Sequence, residues 1–143
     1  MRILIDADGC PVVDHAVRLA KHYKTECLIL CDTSHIFEKE GAVTLTFSKG
    51  ADSVDFALVN LLKPGDIVVT QDYGLAAMCL ARAAVPVNQD GMVYSDNNID
   101  ALLLARHTAR KIRNGGGRLK GPSKRTAAQD RAFEVKLQEL LSQ

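Results

Sequence analysis

The sequence predicts an α/β protein with three layers, a mainly parallel sheet of about five strands between helices. Three observations carry this. Short apolar runs alternate with helix-period segments along the chain, as repeated βαβ units require. Hydrophobic residues make up 47% and charged residues 24%, the balance of an ordinary globular domain and not of a collagen, a disordered chain or a disulfide scaffold. A chain of 143 residues buries about 70% of its unfolded surface, so it needs no disulfide or metal to fold.

The elements follow in order. Arg2–Asp6 reads as a buried strand. Pro11 suits the first turn of a helix, where its missing N–H costs nothing. Val13, Ala16, Val17 and Ala20 form that helix's apolar stripe. Glu26–Cys31 is a second strand and Ser34–Lys39 a short helix, and Val43, Leu45 and Phe47, alternating with Thr44 and Thr46, make a third strand with one more polar face. A helix over about Asp52–Leu62 presents Val54, Leu58 and Leu61 on one face and ends at Pro64-Gly65. Ile67–Thr70 is a fourth strand, Tyr73–Ala84 a helix of small residues, and Val85–Asn88 a short fifth strand before a turn at Asp90-Gly91. Ser95 or Asp96 caps a long helix reaching about Arg113. Glycines 115–117 and Gly121-Pro122 break the chain. Thr126 and Gln129 have the spacing of a capping box, ahead of a last helix with Phe133, Leu137 and Leu140 on one face. Residues 1–113 are expected to form the α/β domain, with 114–143 a basic, glycine-rich segment and final helix packed on it.

No export signal or membrane span is legible. Cys10, Cys27, Cys31 and Cys79 make no CxxC pair, which favours buried reduced thiols over a zinc site and points to the cytoplasm.

The net charge of +1 conceals a segregation. Residues 1–105 carry −6 and residues 106–143 carry +7. An acidic body with a basic end points to RNA or another phosphate-bearing partner, against the plainer reading of a solvated tail.

In parallel sheets the ligand crevice lies beyond the carboxyl ends of the strands, where strand order reverses. In a 3-2-1-4-5 order, strands 1 and 4 are neighbours there. Asp6, Ala7, Asp8 and Gly9 follow strand 1, and Thr70, Gln71, Asp72 and Tyr73 follow strand 4. Asp52 opens the helix before strand 4, with Asp55 one turn on. Crowded carboxylates take up protons or hold cations, and oxygen-only ligands suit Mg²⁺ or Mn²⁺. Such a metal activates water for phosphodiester hydrolysis. Simpler roles exist: Asp52 as a helix cap, Asp8 as a turn residue, Asp55 as a surface acid. Thr70 is placed to bond a ligand, Ser34 and His35 to border the site, and Tyr73 to stack on a base or line the core.

These residues resemble the YaiI/YqxD family of uncharacterised bacterial proteins. The matching segments are IDADGCPV at 5–12, KGADSVDFALVN at 49–60, GDIVVTQDYGLAA at 65–77 and GGGRLKGPSKRTAAQDRAF at 115–133. That family in turn resembles the PIN-like superfamily, most closely its NYN branch. The resemblance implies that Asp6, Asp52 and Asp72 bind a divalent metal for RNA cleavage, with Asp8 and Asp55 as further acids.

The glycine-rich basic segment lies outside the PIN pattern. Arg113, Arg118, Lys120, Lys124 and Arg125 surround its glycine breaks, where backbone and guanidinium groups suit phosphate. It is no Walker A loop, because Pro122-Ser123 follows Gly121. It either tracks an RNA backbone or folds over the acidic crevice as a cover. The leading expectation is a metal-dependent ribonuclease. A non-catalytic RNA- or nucleotide-binding protein is its rival. A haloacid-dehalogenase-type phosphatase using Asp6 and Asp8 ranks below both, because strand 4 offers Asp72 alone.

Overall fold

Five parallel strands run through the middle of the computed structural model, which describes residues 1–32, 38–48, 53–116 and 124–143. They are β1 (Arg2–Asp6), β2 (Glu26–Asp32), β3 (Val43–Phe47), β4 (Ile67–Val69) and β5 (Val85–Val87). Their spatial order is β3-β2-β1-β4-β5. The helices are α1 (Val13–His22), α2 (Ser53–Leu61), α3 (Tyr73–Ala81), α4 (Ile99–Asn114) and α5 (Ala127–Leu141). The three-layer α/β architecture and its strand order are therefore those expected.

Successive strand residues face opposite sides of a sheet, and here both sides are covered. Ile3, Ile5, Ile29 and Val69 pack with α1 and α5. Leu4, Leu28, Leu30 and Val68 pack with α2 and α3. This double burial is why β1, β2 and β4 read as apolar runs, whereas β3, at the sheet edge with Val43 exposed, alternates with threonine. Of the expected helix faces, that of α1 is buried as read. On α2, Val54 and Leu58 turn inward, but Leu61 is exposed and Leu62, just past the helix, takes its place.

Several boundaries shift for local reasons. Pro11 lies in the turn before α1, which begins at Val13. The helix α3 stops at Ala81, because Ala83 takes a left-handed backbone (φ 60°) to turn into β5. The start of α4 moves to Ile99, with Asn98 at its cap position. The Asn98 side chain instead ties the preceding turn, accepting from Ser95 N (2.9 Å) and donating to Val93 O (3.0 Å). The short helix expected at 34–39 lies largely outside the described residues, and Glu38 and Lys39 are not helical.

The last helix is part of the core. The capping box at Thr126 and Gln129 forms as expected. Phe133 and Leu137 are fully buried against α1 and the sheet. Polar contacts surround that seam. Glu134 accepts from His15 (2.5 Å) and from Arg18, and Arg125 bonds Asp130 (2.7 Å).

At the opposite, amino end of the strands, Asp66 is 2% exposed. It accepts from Arg2 N (3.1 Å), Arg2 Nη2 (2.7 Å) and Lys63 N (2.9 Å), tying the start of β1 to the start of β4. Burial raises its pKa, but the Arg2 and Lys63 bonds outweigh burial and hold it below the usual carboxylate value. Removing one partner of a buried pair leaves the other uncompensated. Asp66→Ala is expected to cost about 3–5 kcal/mol, read from urea midpoints at neutral pH. The wild-type advantage should persist above the ordinary carboxylate pKa and fade as pH drops through the lowered one.

Candidate functional site

The reversal of strand order at β1 and β4 places Asp6 and Thr70 side by side, one residue past the Ile5–Val69 pair of the ladder. Thr70 is 1% exposed and connects four segments. Its hydroxyl donates to Asp6 Oδ2 (2.9 Å) and accepts from Asp72 N (3.0 Å). Its carbonyl accepts from the buried Tyr94 hydroxyl (3.2 Å), and its N–H donates to Val87 O (3.0 Å). A second bond, Gln71 Nε2 to Gly9 O (2.8 Å), joins the same two loops. The crevice walls are thus cross-linked through backbone and short side chains.

The crevice encloses about 470 Å³ and is lined by Asp6, Asp8, Asp32, Asp55 and Asp72, together with Val54, Gln71, Tyr73 and Arg106. Burial pushes the Asp6 carboxyl up to about 6, against the lowering effect of the Thr70 bond, and Asp55, Asp72 and Asp8 push it further up. Four carboxylates predicted from sequence, Asp6, Asp8, Asp55 and Asp72, therefore meet in one place. The fifth predicted one, Asp52, lies outside the described residues.

Each wall is built by local chemistry. Asp72 is the N-cap of α3, with Oδ1 accepting from Gly74 N (2.8 Å) and Leu75 N (3.2 Å). That bonding satisfies N–H groups the helix itself leaves open. The same oxygen accepts from Arg106 Nη1 (3.3 Å). Glycine at 74 keeps this approach open, because a Cβ there would stand 3.3 Å from Asp72 Oδ1 and 3.6 Å from Arg106 Nη1. Asp8 Oδ2 accepts from Asp32 N (3.1 Å), which binds the loop after β1 to the end of β2.

Two lining residues escaped the sequence reading. Asp32 was excluded by ending the second strand at Cys31. Its signal was its place at the carboxyl end of the strand beside β1, where the crevice had to be. Arg106 was counted only as charge. Its signal was helical spacing: it continues the face of Ile99, Leu102 and Leu103, the residues that pack α4 onto α3 and Tyr94.

The predicted basic residues are dispersed. Arg113 lines a groove adjoining the crevice, with Tyr73, Ala105, Arg106 and Ala109. Lys124 is exposed. The Arg125 guanidinium is engaged within the chain, by Asp130, by Asp90 (2.8 Å) and by Gln89 O (2.6 Å), so it fastens the start of α5 to the turn after β5. Arg118, Lys120, Ser34 and His35 lie outside the described residues.

The donor chemistry of the crevice is oxygen only, which suits a hard divalent cation. Among the described residues, no group of three or more His, Cys, Asp or Glu is gathered to hold a metal ion. Mg²⁺ sites commonly use one or two carboxylates and keep several waters, so this donor set fits such an ion without a closed cage. The thiols lie elsewhere, and burial pushes Cys10 up to about 11 and Cys27 and Cys79 up to about 12. Among the described residues, no helix is long and apolar enough to cross a membrane.

Fold and crevice define an α/β protein with an acidic site at the switch point of a parallel sheet. Comparison with known proteins gives the family. The profile of the uncharacterized YaiI/YqxD family matches residues 4–143, and the chain belongs to that family. It is 53% identical over 143 residues to a UPF0178 protein of Exiguobacterium sibiricum, covering 100% of this chain and 98% of that one. A UPF0178 protein of Clostridium acetobutylicum is 45% identical over 143 residues, covering 99% and 97%. One from Ruminiclostridium cellulolyticum is 48% identical over 137 residues, covering 96% and 90%. No solved structure matches the chain significantly.

Proposed function

We propose that this chain hydrolyses phosphodiester bonds in RNA with the help of Mg²⁺ or Mn²⁺, in the cytoplasm. The observation that supports this reading most is the convergence of Asp6, Asp8, Asp32, Asp55 and Asp72 on one crevice. The PIN-like resemblance adds the assignment of Asp6, Asp72 and Asp52 as the residues that would hold the ion. When bound, the ion supplies an activated water and neutralises charge on the phosphoryl oxygens.

The chain's own groups have separable tasks. Thr70 orients the Asp6 carboxyl through its 2.9 Å bond. Burial raises the Asp6 pKa to about 6, and a divalent ion beside it would favour the carboxylate form that holds the ion. Arg106 offers a guanidinium beside Asp72, suited to a phosphate oxygen. Gln71 holds the two loops together and so keeps the carboxylates in register.

A Mn²⁺ titration against an end-labelled RNA tests the reading. Wild type is expected to produce a metal-dependent ladder, and Asp6→Asn to slow it by about 100-fold or more. Equal cleavage by both, or none by well-folded wild type at any Mn²⁺ concentration, refutes it. One observation favours a non-catalytic RNA- or nucleotide-binding protein instead: Asp72 Oδ1 is already engaged by two helix N–H groups and Arg106. That reading expects no product and binding that Asp→Asn changes leave intact.

A further inference from the structure

Amphipathic helices place charged residues opposite the face that packs on the core. The helix α4 departs from this along its length. Its inward face begins with Ile99, Leu102 and Leu103, packed against α3 and Tyr94. The same face continues with Arg106, Ala109 and Arg113, at spacings of three and four residues. The switch from leucine to arginine falls at Arg106, which bonds Asp72 at the start of α3 and lines the crevice.

These arginines line a groove of about 290 Å³ with Tyr73 and Ala105. The groove shares Tyr73 and Arg106 with the acidic crevice, so the two are continuous. Arg106 pairs with Asp72, and among the described residues Arg113 has no carboxylate partner. The Tyr73 ring is half-buried and stands edge-on to Tyr94, centroids 6.0 Å apart, which fixes its orientation at the junction of groove and crevice.

We infer that the groove between α4 and Tyr73 is a track for single-stranded RNA, with Arg106 and Arg113 on the phosphates and Tyr73 stacked on a base. The two arginines are seven residues apart, a rise of about 10 Å along the helix, so they would meet different phosphates of one strand. A single strand is favoured over a duplex because Tyr73 can stack only on an unpaired, splayed base. Small Ala105 and Ala109 leave room between the arginines for the backbone.

The inference rests on the proposed reading of the crevice only for the chemical class of substrate, so its test is made without metal. Binding of a fluorescein-labelled single-stranded RNA of about ten nucleotides is followed by anisotropy in EDTA over a salt series. Arg113→Ala is expected to weaken binding about tenfold and lower the log–log salt slope by about 0.7, the value for one phosphate on a single strand. Arg106→Ala with Arg113→Ala should lower it by about 1.4. Tyr73→Leu should weaken binding about tenfold with the slope unchanged. Lys63→Ala, at the amino end of the strands, should leave both unchanged. No binding by wild type, an unchanged slope in the double variant, or tighter binding of duplex RNA overturns the track. Failure of Mn²⁺-dependent cleavage with these binding effects intact counts against the nuclease reading alone.

Discussion

Asp6→Asn is expected to make the folded chain more stable near neutral pH. Asp6 is half-buried at the end of β1 among Asp8, Asp55 and Asp72, and its carboxyl is pushed up to about 6 from an ordinary value of 3.8. The sign follows from proton uptake. Between those two values the folded chain binds a proton that the unfolded chain releases, so this group's contribution to stability falls as pH rises through about 6. Above that range the folded state bears the full penalty, up to about 3 kcal/mol at 1.36 kcal/mol per pH unit. Asparagine removes the charge, and its amide oxygen still accepts from Thr70. The variant should therefore gain up to about 3 kcal/mol at pH 8 and little at pH 4, read from urea midpoints at both. Mn²⁺ bound at the crevice would offset the same penalty. It is expected to raise the wild-type Tm at pH 8 and leave that of Asp6→Asn unchanged. A variant less stable than wild type at pH 8 would mean that the Thr70 contact outweighs the charge.

Phe133→Ala is expected to destabilise the whole chain by about 3–5 kcal/mol, the usual cost of emptying a buried aromatic site. Phe133 is fully buried and belongs to the same cluster as Ile3, Ile5 and Ile29 of the central strands. Its removal leaves a cavity between α5, α1 and the sheet, which cross-linked strands cannot collapse to fill. With total stabilities of about 5–15 kcal/mol, this loss is large. Urea unfolding followed by far-UV circular dichroism should show one transition at a much lower midpoint. An unchanged midpoint would make α5 an appendage, against the buried contacts of Phe133 and Leu137.

Periodicity and local chemistry are legible in a sequence, and backbone geometry is not. The strand Arg2–Asp6 and the capping box at Thr126 were readable to the residue, because each rests on local chemistry. The ends of α3 and α4 were not. Ala83 turns the chain with a left-handed backbone that no side chain announces, and Asn98 replaces the Ser95 or Asp96 cap by bonding backward into its own turn. The convergence of Asp6 and Asp72 was readable because strand order at a switch point is a rule of parallel sheets. The contribution of Arg106 was not, because a charged residue on a helix is by default assigned to solvent.

The sequence by itself determined the α/β class, the layer pattern and the four described carboxylates that meet, since hydrophobic period and the carboxyl-end rule depend only on the order of residues. Tertiary structure decided what those carboxylates experience. Loss of solvent and the neighbouring carboxylates, and not residue type, push Asp6 up to about 6. Packing also divided the positive end of the chain. The Arg125 guanidinium is engaged by Asp90, Asp130 and the Gln89 carbonyl, while Arg106 and Arg113 are turned along the groove beside the crevice. Identical side chains acquire these different roles because a guanidinium binds whichever oxygens the fold brings within reach.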